Sequence, residues 1–152
     1  MFEFLFSLKQ LYGAALFEHL KGWDDAIADY NPDFCRFPML FGVTVGIALA
    51  AFLLYFYLIN HPRFNRWWSW LIVLAVVAIS SFGYGHYVVS TDIAMGNIAP
   101  SLQNLIGTAN CYYFATYCMA VSSLIFFILS LLFRRWSRNC KHSPWKLIIR
   151  KK

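Results

Sequence analysis

Three runs of 23 residues, 37–59, 67–89 and 111–133, contain no Asp, Glu, Lys or Arg. As a helix, each reaches about 34 Å, against a hydrocarbon core of about 30 Å. Lipid offers the backbone no water, so an uncharged run of this length must satisfy its own N–H and C=O groups. The Val and Ile in these runs lower helix propensity in water, a preference that counts for little in hydrocarbon. The pattern predicts three spanning helices.

Upstream the pattern changes. Residues 2–22 are rich in Phe and Leu but carry Glu3, Lys9, Glu18 and Lys21. On a helical wheel Glu3, Ser7, Gln10, Glu18 and Lys21 gather within roughly 80°, with apolar groups around most of the rest. That predicts an amphipathic helix lying in the membrane interface. A fourth span would place Lys9 near the midplane at a cost of about 2.5–3.5 kcal/mol. The segment lacks the basic start and small-residue cleavage site of a secretory signal, so it is expected to be retained.

Two connecting segments carry turn signals. In GWDDAIADYNPDF, Asp24 suits a helix N-cap and Asn31-Pro32 a turn. Asp24, Asp25, Asp29 and Asp33 read as a solvated acidic linker, without the glycine a calcium loop needs. In residues 90–110, Pro100 can open a short helix ending at Gly107, with Leu102, Leu105 and Ile106 on one side. The fold class is thus an all-α integral membrane protein with three transmembrane helices and an N-terminal amphipathic interfacial helix. Its parts are an N-terminal segment 1–36, a transmembrane domain 37–133 and a basic tail 134–152.

Composition agrees: 60% of residues are hydrophobic and 13% charged, where a soluble protein carries roughly 25% charged residues. Aromatics mark the span ends. Trp67, Trp68, Trp70 and Trp136 fall at one side, and Tyr84, Tyr87, Tyr112, Tyr113 and Tyr117 at the other, as two interfacial belts.

Charge sets the orientation. The tail holds eight of the thirteen Lys and Arg residues, leaving five against all seven acids, a net of −2 for the rest of the chain. Arg63 and Arg66 lie in the 60–66 link, whereas 90–110 has no basic residue and Asp92 as its one charge. Positive-inside places the link and the C-terminus in the cytoplasm, and the N-terminus and 90–110 outside a plasma or inner membrane. Arg134, Arg135, Arg138, Lys146, Arg150, Lys151 and Lys152 are then membrane-surface residues. A nucleic-acid binder spreads its basic groups over a folded face among aromatic platforms. Here they follow an apolar span, which argues against nucleic acid.

Candidate chemistry is sparse. No Gly-rich phosphate loop, HExxH or GxSxG is present. Cys35, Cys111, Cys118 and Cys140 form no metal or redox pattern, and Cys140 and His142 lack a second ligand pair. No enzyme activity, cofactor or metal is expected. Cys35 and Cys111 share a side of this topology. His86 is the one acid or base within the three spans, and with Asp92 and Asn110 it is the candidate polar residue for a pore.

Small residues carry more. Gly42, Gly46 and Ala50 recur every four residues, and Cys111, Ala115, Cys118 and Ser122 form a second smooth face. In lipid such faces let helices approach closely, within one chain or between chains. The expected function is a non-enzymatic integral membrane subunit that oligomerises or anchors a larger envelope assembly. Its partners would be the bilayer and copies of itself or other membrane proteins. The alternative is a small oligomeric ion channel or membrane-permeabilising pore, since three spans alone cannot enclose an aqueous path.

Overall fold

The computed structural model describes residues 9–59 and 67–133. Among the described residues, three helices are long and apolar enough to cross a membrane: Pro32–Tyr57, Trp68–Met95 and Thr108–Phe133. In order, α1 (Lys9–Tyr12) and α2 (Ala14–Lys21) precede a two-stranded hairpin, β1 (Trp23–Asp24) with β2 (Asp29–Tyr30). Then come α3 (Phe37–Leu53), whose last turns widen into a π-helix over Leu54–Ile59, α4 (Trp67–Met95), α5 (Pro100–Gln103) and α6 (Thr108–Phe133). The link carrying Arg63 and Arg66 and the tail 134–152 lie outside the described residues, as do residues 1–8.

The second long apolar helix runs past residue 89 because Asp92, read from sequence as a loop charge, is paired inside the fold and only 3% exposed. It stops at Gly96, where φ is 68°. Asn97 then donates its N–H back to Asp92 O over 3.0 Å.

Packing divides into two clusters along the bundle. At the Asp92 end, Tyr12, Leu16, Leu20, Phe37, Leu40 and Phe114 come together. At the other, Phe52, Tyr55, Trp70, Val77 and Phe126 do. Trp70 corrects its belt assignment: it is 4% exposed against 60% for Trp68. Two residues apart on a helix is about 200°, so the two rings cannot face the same medium. Trp70 Nε1 donates to Ser130 Oγ over 3.2 Å, and that hydroxyl donates to Phe126 O over 2.8 Å. Tyr84, also read as a belt residue, buries its hydroxyl, while Tyr87, Tyr112 and Tyr113 stay exposed.

The N-terminal stretch 2–22 is helical over its described residues, in two pieces. It breaks at Gly13, with φ 102°, and its apolar stripe Tyr12, Leu16 and Leu20 is buried against protein. Tyr12 packs its ring on Phe114 at 5.2 Å and Tyr117 at 5.5 Å, both on α6. These ring contacts add to the close packing of that stripe against α6. Burial pushes the Tyr12 phenol up, with Tyr117 and Cys118 adding to the shift.

Asp24 caps no helix. Its carboxylate accepts the Ala26 N–H over 2.9 Å, a local turn that competes with helix initiation. The hairpin pairs Trp23 with Tyr30 and Asp24 with Asp29. Gly22 makes this reversal possible: its φ is 95°, and a Cβ there would stand 2.5 Å from Asn31 O. Only glycine fits. In the 96–107 segment, Pro100 does open a short helix, but Leu105 is 64% exposed while Ile106 is buried, so they do not share a face.

Candidate functional site

The Asp92 end of the bundle collects the charges of the described residues. Arg36 sits just ahead of α3 and Asp92 in the last turn of α4, which runs antiparallel to it, so the chain returns the acid to the level of the base. Arg36 Nη2 donates to Asp92 Oδ1 over 3.1 Å. On the other side, His19 Nε2 lies 3.3 Å from Asp92 Oδ2. A carboxylate only accepts, so Nε2 carries the proton of that contact. His19 is 8% exposed. One buried carboxylate therefore ties α2, α3 and α4 together.

A second tie closes over it. Asp25, in the hairpin turn, accepts Ser101 N–H at 2.9 Å and Ser101 Oγ–H at 2.6 Å, at the start of α5. Trp23 Nε1 donates to the same carboxylate over 2.8 Å. The Ser101 hydroxyl, then its amide, then Trp23 hold the Asp25 carboxyl below the ordinary aspartate range. On the outer face of α2, the Tyr30 hydroxyl donates to Glu18.

Between the two ties lies an open cleft of about 670 Å³. One wall comes from residues 19–36, including Trp23, Asp24, Asp33 and Phe34, and the other from residues 96–100. The first wall thus mixes aromatic and acidic side chains with His19 and Arg36, and the second is mostly backbone and small side chains. Among the described residues no group of three or more His, Cys, Asp or Glu is arranged to hold a metal ion.

The residues singled out from sequence are distributed differently. Cys111, Ala115, Cys118 and Ser122 are all buried within the chain. Their counterpart is Gly85 of α4: a Cβ there would meet Ala115 Cα and the Cys118 side chain at 3.1 Å. Gly42, Gly46 and Ala50 are exposed, and among the described residues nothing lies within 4 Å of a Cβ built at either glycine. His86 stacks between Phe82, at 6.5 Å, and Tyr112, at 5.0 Å. The Asn110 amide sits against Gly13, 3.1 Å from where a Cβ would stand. Cys35, Cys111 and Cys118 are free thiols. Arg134, Arg135, Arg138, Lys146, Arg150, Lys151 and Lys152 lie outside the described residues.

Sequence reasoning missed His19, Arg36, Asp25 and Ser101 as connected groups. A signal did exist for Arg36 and Asp92. Opposite charges flank the same side of two successive spans, where a short link makes the helices antiparallel neighbours. Nothing in the sequence joins Asp25 to Ser101. Comparison with models of protein families, with curated proteins and with solved structures finds no match to this chain.

Proposed function

We propose that the chain is a non-enzymatic integral membrane subunit that associates with copies of itself or with other membrane proteins in a larger assembly. The reading rests on the contrast between its two small-residue faces. The α6 face is used up within the chain, against Gly85. Among the described residues, the α3 face at Gly42, Gly46 and Ala50 is open, with no neighbour at either glycine. Close packing is the main source of helix association in lipid, and an open glycine face is where it is available. In this reading the basic tail lies on the cytoplasmic leaflet and the Asp92 end faces outward, following the distribution of Lys and Arg.

The pore alternative draws no comparable support. His86, Asp92 and Asn110 are each packed against groups of the same chain rather than presented along an open face. The deciding experiment is the mass of the purified protein in detergent, by light scattering, for wild type and Gly42→Leu/Gly46→Leu. We expect the variant to insert and fold but to lose its oligomer. An unchanged mass would remove the main support for the reading.

A further inference from the structure

We propose that the core of the bundle binds an ordered water molecule midway along its length, held by Thr44, Ser81 and Ser122. The two apolar clusters meet at a layer of hydroxyls, one from each long helix. On α3, Thr44 stands between Leu40 of one cluster and Ala48 of the other. Ser81 stands between Val88 and Val77 on α4, and Ser122 between Cys118 and Phe126 on α6. Thr44 and Ser81 are each 1% exposed, and Ser122 is 0% exposed. Register brings the three to one level. Gly85 packs against Cys118, so Ser81 and Ser122, each one turn further along antiparallel helices, stand level with each other. The Arg36–Asp92 pair sets the position of α3. Eight residues in from Arg36 and eleven in from Asp92, Thr44 and Ser81 lie about 12 Å and about 16 Å below that pair, within one turn of each other.

These hydroxyls are not satisfied locally. Serine and threonine in a helix can donate to the carbonyl one turn back, as Thr116 does to Tyr112 O and Ser130 to Phe126 O, both over 2.8 Å. Thr44 and Ser81 do not: among the described residues neither hydroxyl has a hydrogen-bond partner. Ser122 donates to Met119 O over a long 3.4 Å, and its oxygen can still accept. A hydroxyl buried without a partner gives up its hydration for nothing. Water both donates and accepts, and an internal water takes about three polar partners. Three helices supply that number. Apolar side chains close the layer on both sides, so the site fits water rather than a larger solute. The inference does not rest on the assembly reading. Gly42 and Gly46, two residues from Thr44 and about 200° around the helix, are exposed, whereas Thr44 is buried in the bundle.

The test is a water–protein NOE spectrum of the full chain in detergent micelles, perdeuterated except at threonine methyl groups. A cross-peak between water and the Thr44 methyl is expected, although this residue is sealed from bulk solvent. Ser81→Ala should abolish it, because the bridge loses an anchor. No cross-peak in the wild type would overturn the proposal. So would a cross-peak that survives Ser81→Ala, since it would come from exchange of the Thr44 hydroxyl proton itself. Stability gives a second reading. Thr44→Val and Ser81→Ala should each raise the unfolding equilibrium constant about tenfold, and the double variant should exceed either by no more than about threefold. Hydroxyls with no bound partner would instead give variants at least as stable as the wild type, and independent partners would give about a hundredfold in the double variant. Either result would overturn the shared water.

Discussion

Asp92 Oδ1 and Arg36 Nη2 stand 3.1 Å apart, joining residues 56 positions apart at the shared end of α3 and α4. The acid is almost wholly buried while the base is 41% exposed along its side chain. The pair is therefore asymmetric. Losing Arg36 leaves Asp92 with His19, but losing Asp92 leaves two groups without their common acceptor.

Asp92→Ala should therefore destabilise the protein more than Arg36→Ala, by about 3 kcal/mol against about 1 kcal/mol. It should also release α2 from the bundle, because His19 reaches α4 through this carboxylate. Limited proteolysis of the detergent-solubilised protein checks this: cleavage within 14–36 should accelerate in Asp92→Ala. Equal protection in both variants would show that the hydrophobic contacts of Leu16 and Leu20 suffice alone.

The glycines of α3 and α4 should respond oppositely. Gly85→Leu drives a side chain into the Ala115 backbone, which cannot retreat as a side-chain tip could, and should cost about 3 kcal/mol. Gly42→Leu meets nothing among the described residues and should shift the stability of the monomer by less than about 0.5 kcal/mol. Thermal unfolding of detergent-solubilised monomer distinguishes the two. Similar losses would mean that α3 contributes its glycine face to the bundle.

The Asp25–Ser101 tie should depend on pH in a defined direction. The folded carboxyl is held below its unfolded value by Ser101 and Trp23. Its contribution is then fully present above the unfolded value of about 3.9 and is lost as pH falls through the lower folded value. The Ser101 amide resonance should titrate with a midpoint below that of a free aspartate and should cease to titrate in Asp25→Asn. A midpoint at or above the ordinary value would mean that the tie is not closed in solution.

Orientation has its own test. A reporter fused after Lys152 should be cytoplasmic, and a cysteine placed at the exposed Gly96 should react with an impermeant reagent added from outside. Both sites on one side would contradict the three-span arrangement. Removing the charges of Arg150, Lys151 and Lys152 should leave orientation intact, since Arg134, Arg135 and Arg138 remain beside the span.

By itself the chain determined three helices long and apolar enough to span a membrane. Long uncharged runs leave the backbone one solution in lipid, so 37–59, 67–89 and 111–133 could be placed without knowing any contact. The interruption at Pro100 and the turn near Pro32 were legible for a similar local reason: proline restricts its own backbone and removes a donor. What faces each helix was not legible. Gly42–Gly46 and Cys111–Ala115–Cys118–Ser122 look alike in sequence, and only tertiary packing against Gly85 makes one a buried seam and leaves the other open. Periodicity identifies a smooth face but says nothing about what lies across it. Asp92 and Trp70 were misplaced for the same reason. A charge read one residue at a time belongs in water, and a tryptophan beside a span belongs in the headgroups. Each turned inward because a partner distant in sequence, Arg36 or Ser130, satisfied its polar atoms there. The cleft depends on three such distant pairings, Asp92 with Arg36 and with His19 and Asp25 with Ser101, so it exists only once the helices have packed.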